Sequence, residues 1–242
     1  MTRARFWLQY GLLPTLGVLA LGGAIVWFGV DQAVADRLYG LEGGSFAARD
    51  TFWARRLLHD GGTHLLVALA VGLLATVVSN WRQQRRAAGY LLLCLALGPA
   101  LAGAGKTFSS RDCPWDQARY GGDKPQIGWL QARPAGLAPG HCFPGAHSAG
   151  AWSLFGLFFL WRRRHPRRAW LALAGTLALG LVYAGTQWLR GAHFVSHDLG
   201  SAWLCWMTCL LLYAAVFRGS LSGEFHAAAQ TQPASPTVPA AA

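Results

Sequence analysis

Charge is what this chain has least of. Only 13% of its 242 residues are Asp, Glu, Lys or Arg, against about a quarter in an ordinary soluble domain. With 53% hydrophobic residues beside them, that shortage excludes a conventional water-soluble surface. Acidic residues are scarcer still, ten against 21 basic ones, which leaves a net charge of +11. Such an excess often marks a nucleic-acid binder. Here the arginines fall into short clusters between apolar runs, Arg82, Arg85 and Arg86 first and Arg162, Arg163, Arg164, Arg167 and Arg168 later. Loops retained on the cytoplasmic side of a membrane carry this pattern, and a nucleic-acid-binding face does not. No nucleic-acid partner is expected.

What the chain does have is long apolar runs. A helix needs about 20 mainly apolar residues to cross a hydrocarbon core of roughly 30 Å. Six stretches meet or approach that length: residues 6–30, 61–79, 87–105, 147–161, 169–189 and 197–217. The fold expected is therefore all-α, a six-span transmembrane helical bundle. Residues 1–60 form the first span and an outside interfacial segment, 61–217 a five-span core, and 218–242 a cytoplasmic tail, disordered over its Ala- and Pro-rich part at 227–242. Placing Arg3 and Arg5 in the cytoplasm puts both arginine clusters inside. Segments 31–60, 106–146 and 190–196 then lie outside. Ala33-Val34-Ala35 resembles a signal-peptide cleavage site. The apolar stretch before it exceeds the usual core of about 7–15 residues, so an uncleaved span is expected and cleavage is the alternative. Phe52, Trp53, Leu57 and Leu58 beside Arg55 and Arg56 suit an amphipathic helix in the outer interface.

The outside segments gather the polar chemistry. Both lysines, Lys106 and Lys124, lie in 106–146, with Arg111, Asp112, Arg119, His141 and, at its end, His147. Pro144-Gly145-Ala146-His147 leads into the fourth span, so unpaired N–H groups at a helix start, with little side-chain bulk, would face an anion. Arg190, His193, His197 and Asp198 fall within nine residues at the join of the last two spans. Ionisable groups there face a site or cavity rather than lipid. The bland alternatives are a snorkelling Lys106 and a small-residue packing surface before His147.

At these residues the chain resembles the type 2 phosphatidic acid phosphatase superfamily, which carries the motifs KxxxxxxRP, PSGH and SRxxxxxHxxxD in that order. Lys106 and Pro114 match the first, with Cys113 at its arginine position and Arg111 two residues earlier. Pro144 and His147 match the second, with Gly145 and Ala146 between them. In the third, Gln187 stands at the arginine position, Arg190 lies three residues on, His193 matches the nucleophile, and His197 occupies the aspartate position beside Asp198.

The resemblance implies an inner-membrane phosphatase of bacterial type, its active site facing the periplasm, with a phosphorylated lipid as substrate. It needs no metal, no cofactor and no obligatory protein partner. Its implied roles are His193 as nucleophile, His147 as general acid and base, and His197 or Asp198 as the group orienting His193. Lys106, Arg190, Arg111 or Arg119, and the backbone at Gly145 and Ala146 would hold phosphate. A phosphotransferase on the same fold and a histidine-rich haem or metal protein are the alternatives. Cys113 and Cys142 both lie outside, where an oxidising compartment would allow a disulfide.

Overall fold

The computed structural model describes residues 1–79 and 82–218. The tail expected at 227–242 lies outside the described residues. Among the described residues, eight helices of five residues or more carry the fold: α1 (Arg3–Trp27), α2 (Val30–Leu41), α3 (Phe52–Val78), α4 (Arg82–Ser109), α5 (Ala146–Trp152), α6 (Phe155–Trp161), α7 (Pro166–Leu189) and α8 (Val195–Val216). The described residues contain no strand, only a single bridge between Gln117 and Lys124.

Five of these helices, α1, α3, α4, α7 and α8, are long and apolar enough to cross a membrane. Their apolar surface points outward. Only 6% of the apolar window of α3 and 11% of that of α1 is buried inside the protein, and Leu12, Leu13, Leu16, Leu19, Leu65, Val67 and Val71 are exposed. In water that surface would drive aggregation; in a bilayer it needs no cover. The interior belongs instead mainly to aromatic and small residues, Phe6, Tyr90, Cys94, Ala149, Trp152, Phe159, Cys205 and Cys209 among them, with Leu210.

Two expectations are corrected here. The fourth span, expected as one helix over 147–161, is two seven-residue helices, α5 and α6. Ser153 Oγ donates back to Ala149 O at 2.8 Å, and the chain tightens to three-residue bonding, Leu154 N to Ala151 O and Gly156 N to Ser153 O. The switch to the tighter bonding divides the two helices, and the serine back-bond favours a bend there. The interfacial helix expected around Phe52 is not separate either. Residues Phe52–Asp60 are π-helical and run without a break into the rest of α3.

α8 organises the bundle, packing against α1, α4, α5 and α6. Its two ends differ in chemistry. Near its last residue, Arg86 donates to Val216 O and shares a crevice with Arg163 and Arg164. At its other end His197 and Asp198 lie in the first turn, with His193 two residues before the helix. The arginine clusters and the histidines therefore occupy opposite ends of one helix.

Between α4 and α5 the chain has little regular structure, and covalent and ionic links hold it. A Cys113–Cys142 disulfide closes the segment. Inside it, buried Asp112 pairs with Lys124 at 3.1 Å and with Arg133 at 2.9 Å.

Candidate active site

The site is built on the turn from α7 into α8. α7 ends at Leu189 with Arg190 as its cap, and Gly191 takes the left-handed conformation, φ 66°, that a side chain would resist. Gln187 O then accepts from Ala192 N at 2.8 Å. The start of α8 is capped from a distance: Asp31 at the head of α2 accepts from Ser196 N at 2.9 Å and Ser196 Oγ at 2.5 Å. A carboxylate here satisfies helix-end amides and complements the dipole. Burial nonetheless pushes the Asp31 carboxyl above its ordinary value, outweighing those hydrogen bonds.

His193 and Asp198 face each other across this turn. Nδ1 of His193 lies 3.0 Å from Asp198 Oδ1, with both side chains buried. Asp198 accepts two further bonds, from Ser148 Oγ at 2.5 Å and from Trp188 Nε1 at 2.7 Å. A carboxylate only accepts, so Nδ1 carries the hydrogen of this bond. The contact fixes one ring nitrogen and leaves Nε2 as the other, outside the pair.

The Gly145 loop is pinned against this pair. Gly145 N donates to His197 O at 3.2 Å, and Ser201 Oγ donates to Gly145 O at 2.8 Å. A Cβ on Gly145 would stand 2.5 Å from Asp198 Oδ1 and 2.6 Å from His193 Nδ1. Only glycine allows that approach. α5 follows at once, with no side chain capping its first turn.

His147, two residues beyond Gly145, has a buried Nε2 with no partner among the described residues. Its ring stacks on His59, centroids 4.1 Å apart and planes 11° apart, and on Tyr183 at 5.2 Å and 12°. It is within electrostatic reach of His193, Arg190 and Asp198. From His147 a cleft of about 270 Å³ runs between α3 and α4, lined by Thr63, Leu66, Val67, Ala70, Leu95 and Pro99.

The cations divide into two groups. Lys106, in the last turn of α4, has no ion pair among the described residues, although Asp198 lies within its electrostatic reach. Arg190 is buried, donating from Nε to Arg49 O at 3.1 Å and from Nη1 to Gln187 Oε1 at 3.2 Å. The residue standing at the motif's arginine position thus holds the arginine three residues on. The remaining two cations are engaged elsewhere. Arg111 donates to Gly128 O at 2.9 Å and Trp129 O at 2.6 Å, lying over the Trp129 ring. Arg119 forms two bonds to Asp36, which also accepts from Tyr120.

His197 does not bond to His193. Its ring meets Trp129, Phe143 and Phe194 edge-on, and its buried Nδ1 has no partner among the described residues. It lines a small polar cavity with Asp31, Arg111, Asp112 and Arg133. Sequence reasoning assigned no part here to Ser148, Trp188, Tyr183 or Asp31. Only Ser148 carried a signal, its place directly after His147.

A family model described as PAP2 superfamily matches residues 87–220, more than half of the chain. The match takes in Lys106, Gly145, His147, Arg190, His193 and Asp198, and begins after His59. Searches of curated proteins and of solved structures each return no match.

Proposed function

The chain belongs to the PAP2 superfamily, a family of phosphatases acting on phosphate esters, and on that premise we propose that it hydrolyses the phosphate of a lipid-like substrate through a phosphohistidine on His193. One observation carries the reading. The buried His193–Asp198 pair leaves Nε2 as the free nitrogen at the end of an apolar bundle.

Phosphoryl transfer requires in-line positioning and stabilisation of charge on three oxygens. Lys106 and Arg190 supply positive charge, with first-turn amides of α5 beside them. His193 Nε2 attacks phosphorus, the N–P bond forming as the bond to the leaving oxygen breaks. His147 gives that oxygen a proton. It then takes a proton from water as water attacks phosphorus, releasing inorganic phosphate and freeing His193. Asp198 holds the hydrogen on Nδ1 and balances the charge that develops on the ring.

The apolar cleft leaving His147 between α3 and α4 supports a lipid tail, because a soluble ester would gain nothing from Leu66, Val67 and Leu95. The opposite placement of the arginine clusters supports a site on the non-cytoplasmic face. With α5 and α6 together crossing as a sixth, broken span, the topology is that of a bacterial inner-membrane protein.

The test is a phosphate-release panel on purified protein without added acceptor. It covers phosphatidic acid, phosphatidylglycerol phosphate, undecaprenyl pyrophosphate and lipid A phosphates, with His193→Ala alongside. Release from at least one lipid and none from the variant is expected; undiminished release by His193→Ala removes the nucleophile.

A further inference from the structure

The ring of His147 is held in an unusual way. No hydrogen bond among the described residues fixes it, and Nε2 is buried without a partner. What restrains the ring is packing against two near-parallel neighbours, His59 at 4.1 Å and Tyr183 at 5.2 Å between centroids, both within 12° of parallel. His59 belongs to α3 and is half exposed at the rim, its Nδ1 3.0 Å from Asp60 Oδ1. It precedes the stretch matched by the family model.

A second feature of α3 brings this contact about. Gly62, three residues after His59, lies against the phenol of Tyr183, and a Cβ there would stand 2.6 Å from Tyr183 Cζ. The glycine leaves room for the Tyr183 ring beside α3, so that His59 and Tyr183 both reach one imidazole. A Cβ there would displace the Tyr183 ring or part the two helices.

We propose that His59 is a positioning residue for His147: stacked on its ring, it fixes the direction in which Nε2 delivers a proton to the leaving oxygen. The proposal rests on the phosphatase reading. General acid–base catalysis contributes roughly 10²–10⁴-fold and depends on hydrogen-bond geometry, so a freely turning ring forfeits much of it. The loss should fall on esters whose leaving group needs a proton. The alkoxide of an aliphatic ester does; a nitrophenolate, stable as an anion, does not.

The experiment uses the full chain in detergent and two substrates, a short-chain phosphatidic acid and 4-nitrophenyl phosphate. His59→Ala should lower kcat on the phosphatidic acid by roughly 10–100-fold, with KM little changed and a much smaller loss on the aryl ester. His59→Phe, which keeps a flat ring, should restore most of the kcat, and Gly62→Ala should reproduce the defect. A general loss of folding would depress both substrates together. Equal losses on both esters, wild-type kcat in His59→Ala, or failure of His59→Phe to restore kcat each overturn the proposal. Absence of phosphate release by the wild type brings down the phosphatase reading and this inference with it, whereas full activity in His193→Ala removes only the nucleophile assignment. Both are seen without any His59 variant.

Discussion

Asp198 holds the imidazole of His193 across a five-residue step, Oδ1 3.0 Å from Nδ1, while its other contacts run to Ser148 on α5 and Trp188 on α7. One carboxylate thus ties α5, α7 and the start of α8 to Nδ1 of this ring. Its removal should affect tautomer and packing together.

Asp198→Asn keeps the shape but offers an N–H where Nδ1 needs an acceptor. The ring then favours the tautomer with its hydrogen on Nε2, which cannot attack. Turnover should fall by roughly 10³–10⁴-fold, the scale seen when an orienting aspartate is amidated. Steady-state kinetics on any accepted lipid phosphate measures this. His197→Asn, which leaves the Asp198 bond in place, should cost far less; equal losses would show that His197 shares the orienting role.

Gly145→Ala places a methyl group where Asp198 and His193 already stand, 2.5 and 2.6 Å away. The loop or the ring must move. A displacement near 1 Å at the reacting atom costs on the order of 100-fold, so turnover should drop at least that far while the protein stays monodisperse on size exclusion.

The Cys113–Cys142 disulfide closes a loop with a sequence separation of 29 and joins the segment after Lys106 to the loop before Gly145. Cross-links of this kind contribute about 2–4 kcal/mol. Replacing both cysteines by serine, or adding reductant to the wild type, should lower the melting temperature in detergent. Intact mass with and without reductant should differ by two hydrogens.

Asp36 accepts two bonds from Arg119, and that guanidinium beside it holds its carboxyl below the ordinary value. A lowered native value means that the pair stabilises the protein above the unfolded-state value, near pH 4. The contribution is lost as pH falls through the lowered native value. Asp36→Asn should therefore melt below the wild type at neutral pH, with the gap closing in acid. The pair is partly exposed, so the gap should be small and shrink in salt. Thermal melts at several pH values check the sign.

Several features were legible without any structure because they are local. Run length and charge clustering identify α1, α3, α4, α7 and α8, since a bilayer demands apolar length and retains arginine on one side. The motif residues from Lys106 to Asp198 could be picked out by residue type and order. Break points could not. Nothing local marks Ser153–Leu154, where α5 gives way to α6: the same serine or threonine back-bond to the residue four earlier occurs inside unbroken helices at Thr186 and Thr208.

The sequence by itself thus determined a membrane bundle with its polar chemistry confined to three separated stretches, because hydrophobicity and charge act residue by residue. Tertiary structure alone decided which of those residues meet. It chose Asp198 over its neighbour His197 as the partner of His193, gave Arg190 the support of Gln187, and turned Arg111 and Arg119 toward Trp129 and Asp36. It also laid His59 on His147. Each choice depends on where packed helices place a side chain to within about an ångström, and spacing along the chain does not specify that.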